Sequence, residues 1–283
     1  MKIIFSIFAL SFFMISCSPR NFIRKNEFFR NLFYLEELEA DFSKGEGLGE
    51  NTQGESFDNT DYGYLLDKYV DQNGMVDYPG LEADEKILDR YLHSIEKADY
   101  EKLSRYEKLS FLINAYNVFT LKLIVQNPGI KSIKDIPSDK RWENNIWNLA
   151  GEKINLLDLE HKKIRAGFGE PKIHFALVCA SKSCPKLQKE PYDGTKLLDQ
   201  LDSQTRHFFS VERNLKWSAG KKELYLSEIL DWFRYDFAKT ETGIVNFCLN
   251  YINEEKASEI QSFDNSLKIK YIPYDWSLNG HWK

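Results

Sequence analysis

Glycine and proline are scarce, at 15 and 8 of 283 residues. That excludes collagen-like and low-complexity chains. Four cysteines are too few for a disulfide scaffold of this length. An excess of positive charge is missing: 38 Lys and Arg face 43 Asp and Glu, a formal net charge of -5. A nucleic-acid partner therefore has no electrostatic support. Mean hydropathy is -0.49, and only one stretch is continuously apolar, so a polytopic membrane protein is excluded. What the chain does have is aromatic mass, with 20 Phe, 15 Tyr and 6 Trp. Those rings need a core, which rules out disorder of the whole chain.

The one apolar run, Ile3–Ile15, follows Met1-Lys2 and precedes Ser16-Cys17. One charge, a short apolar region and a small residue before the cut make a secretory signal. The run is too short to span a bilayer, which takes ~20 residues. Met14-Ile15-Ser16-Cys17 resembles a bacterial lipobox, with Met14 where Leu is usual. That resemblance implies cleavage before Cys17, attachment of lipid (palmitate among its acyl groups) to Cys17, and a chain anchored to the cell envelope. Ser18 after the cysteine resembles an outer-membrane sorting signal. The sequence thus divides into a signal at 1–16, an N-terminal segment and flexible linker at 17–56, and a globular domain at 57–283. Asn21–Phe42 has helical apolar spacing, and 43–55 is rich in Gly and Glu.

Within the domain, Ile87, Leu88, Tyr91, Leu92 and Ile95 are spaced for an amphipathic helix. Ser104-Arg105-Tyr106-Glu107 is a capping box, predicting a helix to about Gln126. That helix is apolar on nearly every face, so it is a buried one. Ile173–Val178 predicts a core strand and Glu223–Leu226 another. Gly194–Phe209, Ser227–Phe237 and Ile244–Ile252 predict helices, and the aromatic stretch Tyr271–Trp282 should pack on the domain. The fold class is α+β, mostly helical, with the buried central helix on a small sheet.

Three groups of residues can carry chemistry. The first is Ile173-His174-Phe175-Ala176-Leu177-Val178-Cys179-Ala180-Ser181-Lys182-Ser183-Cys184-Pro185. It leaves a buried element for a loop of small polar residues. On a strand His174 shares a face with Ala176 and Val178, away from Cys179. Ser183-Cys184-Pro185 can open a helix, whose N-terminus lowers a thiol pKa. Cys184 is then the candidate nucleophile, His174 the candidate base, and Cys179 and Ser181 their neighbours. A structural Cys179–Cys184 disulfide and an inert, buried His and thiols fit the spacing equally well. No metal site is expected from these residues, because zinc ligands usually come as tighter pairs with a second cluster. No cofactor is expected either.

The second group is on the central helix: Asn114, Tyr116 and Asn117, with Glu107 in its first turn. Two amides on an apolar helix must bind backbone, line a cleft, or both. The third is Asp158-Leu159-Glu160-His161, followed by Lys162, Lys163 and Arg165. Glu160 and His161 suit acid–base work, and a solvated basic face is the simpler reading.

Glu107–Asn117, Ser132–Ile136, Leu156–Arg165, Ile173–Pro185 and Tyr274–Asn279, in this order, resemble the family of unknown function numbered 547. The resemblance covers roughly Phe57 to the C-terminus. It implies a domain often found in bacterial envelopes and no established reaction. A more distant resemblance is to papain-like or transglutaminase-like folds, which place a Cys at the start of a buried helix; the helix 105–126 has none. Three functions remain open: a thiol-dependent hydrolase or transferase, a non-catalytic binding or scaffold lipoprotein, and a redox-active Cys179/Cys184 pair. One expectation joins the groups. Asn114, Asn117, His174 and the cysteine loop should face one cleft, since buried polar groups tend to satisfy one another.

Overall fold

The computed structural model describes residues 47–137, 139–263 and 266–282. The signal segment, Cys17 and the helical pattern at Asn21–Phe42 lie outside the described residues.

The domain is α+β and mostly helical, built in chain order from α1 (Thr60–Tyr69), β1 (Val76–Asp77), α2 (Tyr78–Ala83), α3 (Glu85–Lys97) and α4 (Arg105–Val125). A short hairpin follows, β2 (Trp147–Leu149) with β3 (Glu152–Ile154). Then come a π-helical segment at Leu159–Arg165, a 3-10 turn at Pro171–Phe175 and α5 (Leu197–Ser210). Strands β4 (Leu215–Ser218) and β5 (Glu223–Ser227), helices α6 (Glu241–Leu249) and α7 (Glu254–Gln261), and strands β6 (Lys268–Ile272) and β7 (Gly280–His281) complete it.

Helix α4 is the organising element. Ser104 caps it, its hydroxyl accepting the Glu107 N–H at 3.3 Å. Every residue from Leu109 to Val125 is buried. By composition α4 is apolar enough to cross a membrane, yet 94% of that window is covered by the domain itself. Its cover comes from α2, α3, α5 and the π-helical segment. Tyr62, Leu66, Leu88 and Tyr91 pack with it in one apolar cluster. The three-stranded sheet β4-β5-β6 belongs to a second cluster, with Phe208, Phe209, Leu224, Ile244 and Cys248. Strands β5 and β6 are parallel, with Leu224 opposite Ile269. Such a pairing needs a long crossover, which α6 and α7 supply.

The structure corrects four readings. Ile173–Val178 is a 3-10 turn and a loop instead of a strand. Pro171, at the first position after the Glu170 cap, fixes a helical φ and removes a ladder donor. The turn repeats every three residues, so Ile173 and Ala176 enter the first apolar cluster while Phe175 enters the second. A single short element therefore joins both cores. Ser183-Cys184-Pro185 opens no helix; it lies in a turn and the irregular stretch after it. Ser227–Phe237 breaks at Phe233 into two single turns, Ile229–Trp232 and Arg234–Phe237. Finally, residues 47–55 of the expected linker are tied to the domain. Arg105 donates to the Leu48 and Gly47 carbonyls at 2.7 and 2.6 Å, and Glu55 N–H bonds the Lys102 carbonyl at 2.8 Å.

Candidate functional site

The cysteine loop is built against the C-terminal segment. Ala180 takes a left-handed φ of 59°, which turns the chain between the two cysteines. Residues 180–183 then pair with 275–279. Lys182 N–H bonds the Ser277 carbonyl at 2.8 Å, and Asn279 N–H bonds the Ala180 carbonyl at 3.0 Å. Ser183 Oγ accepts the Asp275 N–H at 2.9 Å. Cys179 and Cys184 form a disulfide. Two donors meet at one sulfur: the Cys179 N–H and the Tyr274 hydroxyl both lie 3.0 Å from Cys184 Sγ.

That disulfide is part of the wall of a cavity of about 220 Å³. The rest of the lining is mostly apolar: the rings of Tyr116 from α4, Trp142, Trp232, Phe233, Tyr274 and Trp276, with Leu156, Leu157, Leu177, Pro185 and Ile229 between them. The polar lining is short, consisting of Glu160, His161 and His174 with the two tyrosine hydroxyls. His174, from the 3-10 turn, and Leu177, from the loop after it, both line the cavity.

Behind the wall lies a buried charge network. His174 Nε2 is 2.6 Å from Asp236 Oδ2. Arg165 holds the same carboxylate with two bonds, at 2.6 and 2.7 Å, and its third nitrogen lies 2.9 Å from His161 Nδ1. The side chains of His174, Arg165 and Asp236 are each at most 5% exposed. Burial alone would raise the Asp236 pKa; the bonds from His174 and Arg165 outweigh it, and the net direction is down. The Phe233 ring stacks on His174 at 4.0 Å, and the Arg165 guanidinium sits 5.3 Å over the same ring. His161 has its pKa lowered to about 4, chiefly by burial. The tyrosines of the lining are held neutral. Burial first, and the Glu160 carboxylate second, raise both Tyr116 and Tyr274. Glu160 lies close enough to Tyr116 to raise its pKa, and no basic side chain stands within ion-pair distance of Glu160 among the described residues.

Of the sequence candidates, the structure brings together Cys179, Cys184, His174, Tyr116 and His161 around this cavity. The other four serve elsewhere. Asn114 clamps the chain at Tyr192, its amide donating to the carbonyl at 2.8 Å and accepting from the N–H at 2.9 Å. Asn117 does the same one turn on, with the Ala176 carbonyl at 3.0 Å and the Val178 N–H at 2.8 Å. Glu107 accepts from Phe57 and Gly194 N–H groups at 3.1 and 2.7 Å, and burial raises its pKa against those bonds. Gly194 approaches so closely that an added Cβ would lie 2.6 Å from Glu107 Oε2. Ser181 is buried beneath the loop, bridged to Leu278. The single cleft expected for both motif groups is thus replaced by a cavity on one side and backbone clamps on the other.

Sequence reasoning did not find Asp236. Its signal was a lone carboxylate inside Trp232-Phe233-Arg234-Tyr235-Asp236-Phe237, where an acid has to be paired. Arg165 and His161 were read as a solvated face and are 4% and 8% exposed. The wider π-helical turn changes which residues face inward, and such turns gather at functional sites.

No curated protein and no solved structure matches the chain. A family model does, over residues 100–209, the stretch that holds α4, Glu160, His161, His174 and both cavity cysteines. Over that segment the chain matches the family described as "Protein of unknown function, DUF547".

Proposed function

We propose that the chain is a lipid-anchored protein of the bacterial envelope whose domain binds a small organic molecule in the aromatic cavity. The carrying observation is the cavity's construction. A mostly apolar wall surrounds a few convergent polar groups on rigid supports, the usual make-up of a small-molecule site. The disulfide favours binding over thiol catalysis, because joined sulfurs offer no thiolate. His174 supports the same reading: its Nε2 is committed to Asp236. The anchor rests on the sequence of residues 1–17 alone.

The test is a titration of the full chain with benzyl alcohol, followed by tryptophan fluorescence. Saturable quenching that is lost in Leu177→Trp, which fills the cavity, is the expected result. A linear response shared by both proteins would overturn the binding reading. For the anchor, Cys17→Ala should leave the protein unprocessed or release it from membranes; wild-type fractionation and mobility would overturn it.

A second reading has its own observation, the two donors at Cys184 Sγ. After reduction they would stabilise a Cys184 thiolate, as a thiol-dependent hydrolase or transferase, or a redox pair, requires. Thiol counting separates the readings. One thiol that alkylates fast at neutral pH after mild reduction, and is absent in Cys184→Ser, favours this second one.

A further inference from the structure

The cavity holds a carboxylate among aromatic rings, and its charge is not balanced there. Glu160 lines it beside Tyr116, and no Lys or Arg lies within ion-pair distance among the described residues. The Arg165 charge is spent on Asp236 through two bonds behind the wall. His161, with its pKa lowered to about 4 mainly by burial, carries no charge near neutral pH. His174, the remaining titratable group of the lining, is bonded to Asp236, so Glu160 is the carboxylate left facing the space.

The rings add to the same preference. An aromatic face attracts a cation, and Trp does so most strongly. Trp232, Tyr274 and Trp276 form one cluster, with centroids 4.6 to 5.7 Å apart. One cation already rests on it: Lys134 Nζ is 4.0 Å from the Trp276 centroid. The opposite choice is disfavoured on two counts. An anion would meet the Glu160 carboxylate and the negative faces of the rings. A neutral ligand would leave the Glu160 charge in a half-closed apolar site without a partner.

We infer that the occupant is a small organic cation, an alkylated or quaternary ammonium group, seated against the Trp142, Trp232 and Trp276 rings with Glu160 as its counter-charge. The inference rests on the binding reading above and names the class of ligand for that same cavity. A quaternary group fits this lining better than a primary amine. It asks for no hydrogen-bond acceptors, and the wall offers few beyond Glu160.

The experiment compares choline with 3,3-dimethylbutan-1-ol, its neutral isostere, on the full chain at one ionic strength, with tryptophan fluorescence as the readout. Choline is expected to bind about tenfold more tightly or better, the factor expected of one partly desolvated cation–π contact. Glu160→Gln should remove most of that preference, with a thermal melt checking that the variant is folded. Trp232→Leu gives a second handle, since Trp232 is 38% exposed and its loss leaves the core in place. It should weaken choline more than the alcohol. Equal affinity for the two probes, or a preference that survives in both variants, overturns the inference and leaves the binding reading standing. Failure of both probes where benzyl alcohol binds does the same. Failure of all three compounds overturns the inference and the binding reading together.

Discussion

Two polar regions interrupt the apolar interior, and they are built on opposite terms. The amides of Asn114 and Asn117 point from α4 at passing backbone, and each has both ends bonded to a single stretch of chain. Each amide acts as a short piece of strand, supplying the donor and acceptor that a loop beside a helix lacks. Around the cavity the polar groups differ. Glu160, the two tyrosine hydroxyls and the histidines have partners on one side and open space on the other. Buried polar groups that are fully bonded specify a fold; those left facing a void have bonding to give to a ligand. The contrast decides which candidates are structural, where residue type alone does not.

The network behind the cavity wall gives the largest effect. Asp236→Ala leaves the Arg165 guanidinium buried without its carboxylate and removes the partner of His174 Nε2. Breaking one side of a buried pair costs about 3–5 kcal/mol. Urea unfolding at pH 7 is expected to show a loss in that range. A loss under about 1 kcal/mol would mean that the network is solvated, and that the wall is as loose as a surface.

Acid should act on the same wall. The folded-state pKa of His161, about 4, lies below the ordinary 6.5 because the ring is buried. A depressed folded-state pKa contributes stability that is complete above 6.5 and is lost as pH falls towards 4. A gap of this size corresponds to ~3 kcal/mol. Asp236, also lowered, adds a loss of the same sign in the acid range. Unfolding free energies measured between pH 7 and pH 4 should therefore fall steeply, and the fall should flatten in His161→Gln. An unchanged slope in that variant would assign the acid loss to other groups.

The clamps come next. Asn114→Ala strands the Tyr192 N–H and carbonyl in the interior, a cost of ~1–3 kcal/mol. Affinity for benzyl alcohol should not change, since Asn114 lies outside the cavity lining. A variant of normal stability that had lost binding would reverse the assignment, making the amide a ligand contact.

What was legible in the sequence follows the same division. Helix α4 could be read to within a residue, because a capping serine and an unbroken apolar run both act locally. Helix α3 and strand β5 were legible for the same reason, as were the chemical types of the cysteine loop. Ile173–Val178 misled because β-branched and apolar residues mark burial as much as strand, and Pro171 decided the conformation. The network could not be read as a unit. Arg165, His174 and Asp236 are 9 and 62 residues apart along the chain, and only tertiary packing shows that they share one carboxylate. Glu160 and His161 stood on a segment whose π-helical turns break the 3.6-residue period by which inward faces are assigned.

The smallest effect separates two neighbours on one helix. Tyr116 and Asn117 are adjacent on α4 and both at most 3% exposed, yet one hydroxyl faces the cavity with Glu160 and the other side chain clamps 176–178. Tyr116→Phe removes one oxygen and leaves the ring. That oxygen sits near the Glu160 carboxylate at the cavity edge, where solvent or ligand can satisfy the groups that remain. The expected change in unfolding free energy is therefore under about 1 kcal/mol. Choline affinity should change severalfold, because the hydroxyl that lines the cavity beside Glu160 is lost. Asn117→Ala should show the converse: a clear loss of stability, with the 176–178 wall loosened and both probes weakened alike. If Tyr116→Phe destabilised the domain as much as Asn117→Ala, the hydroxyl would be a structural tie like the amide, and the boundary between clamp and cavity would have to move to the far side of Tyr116.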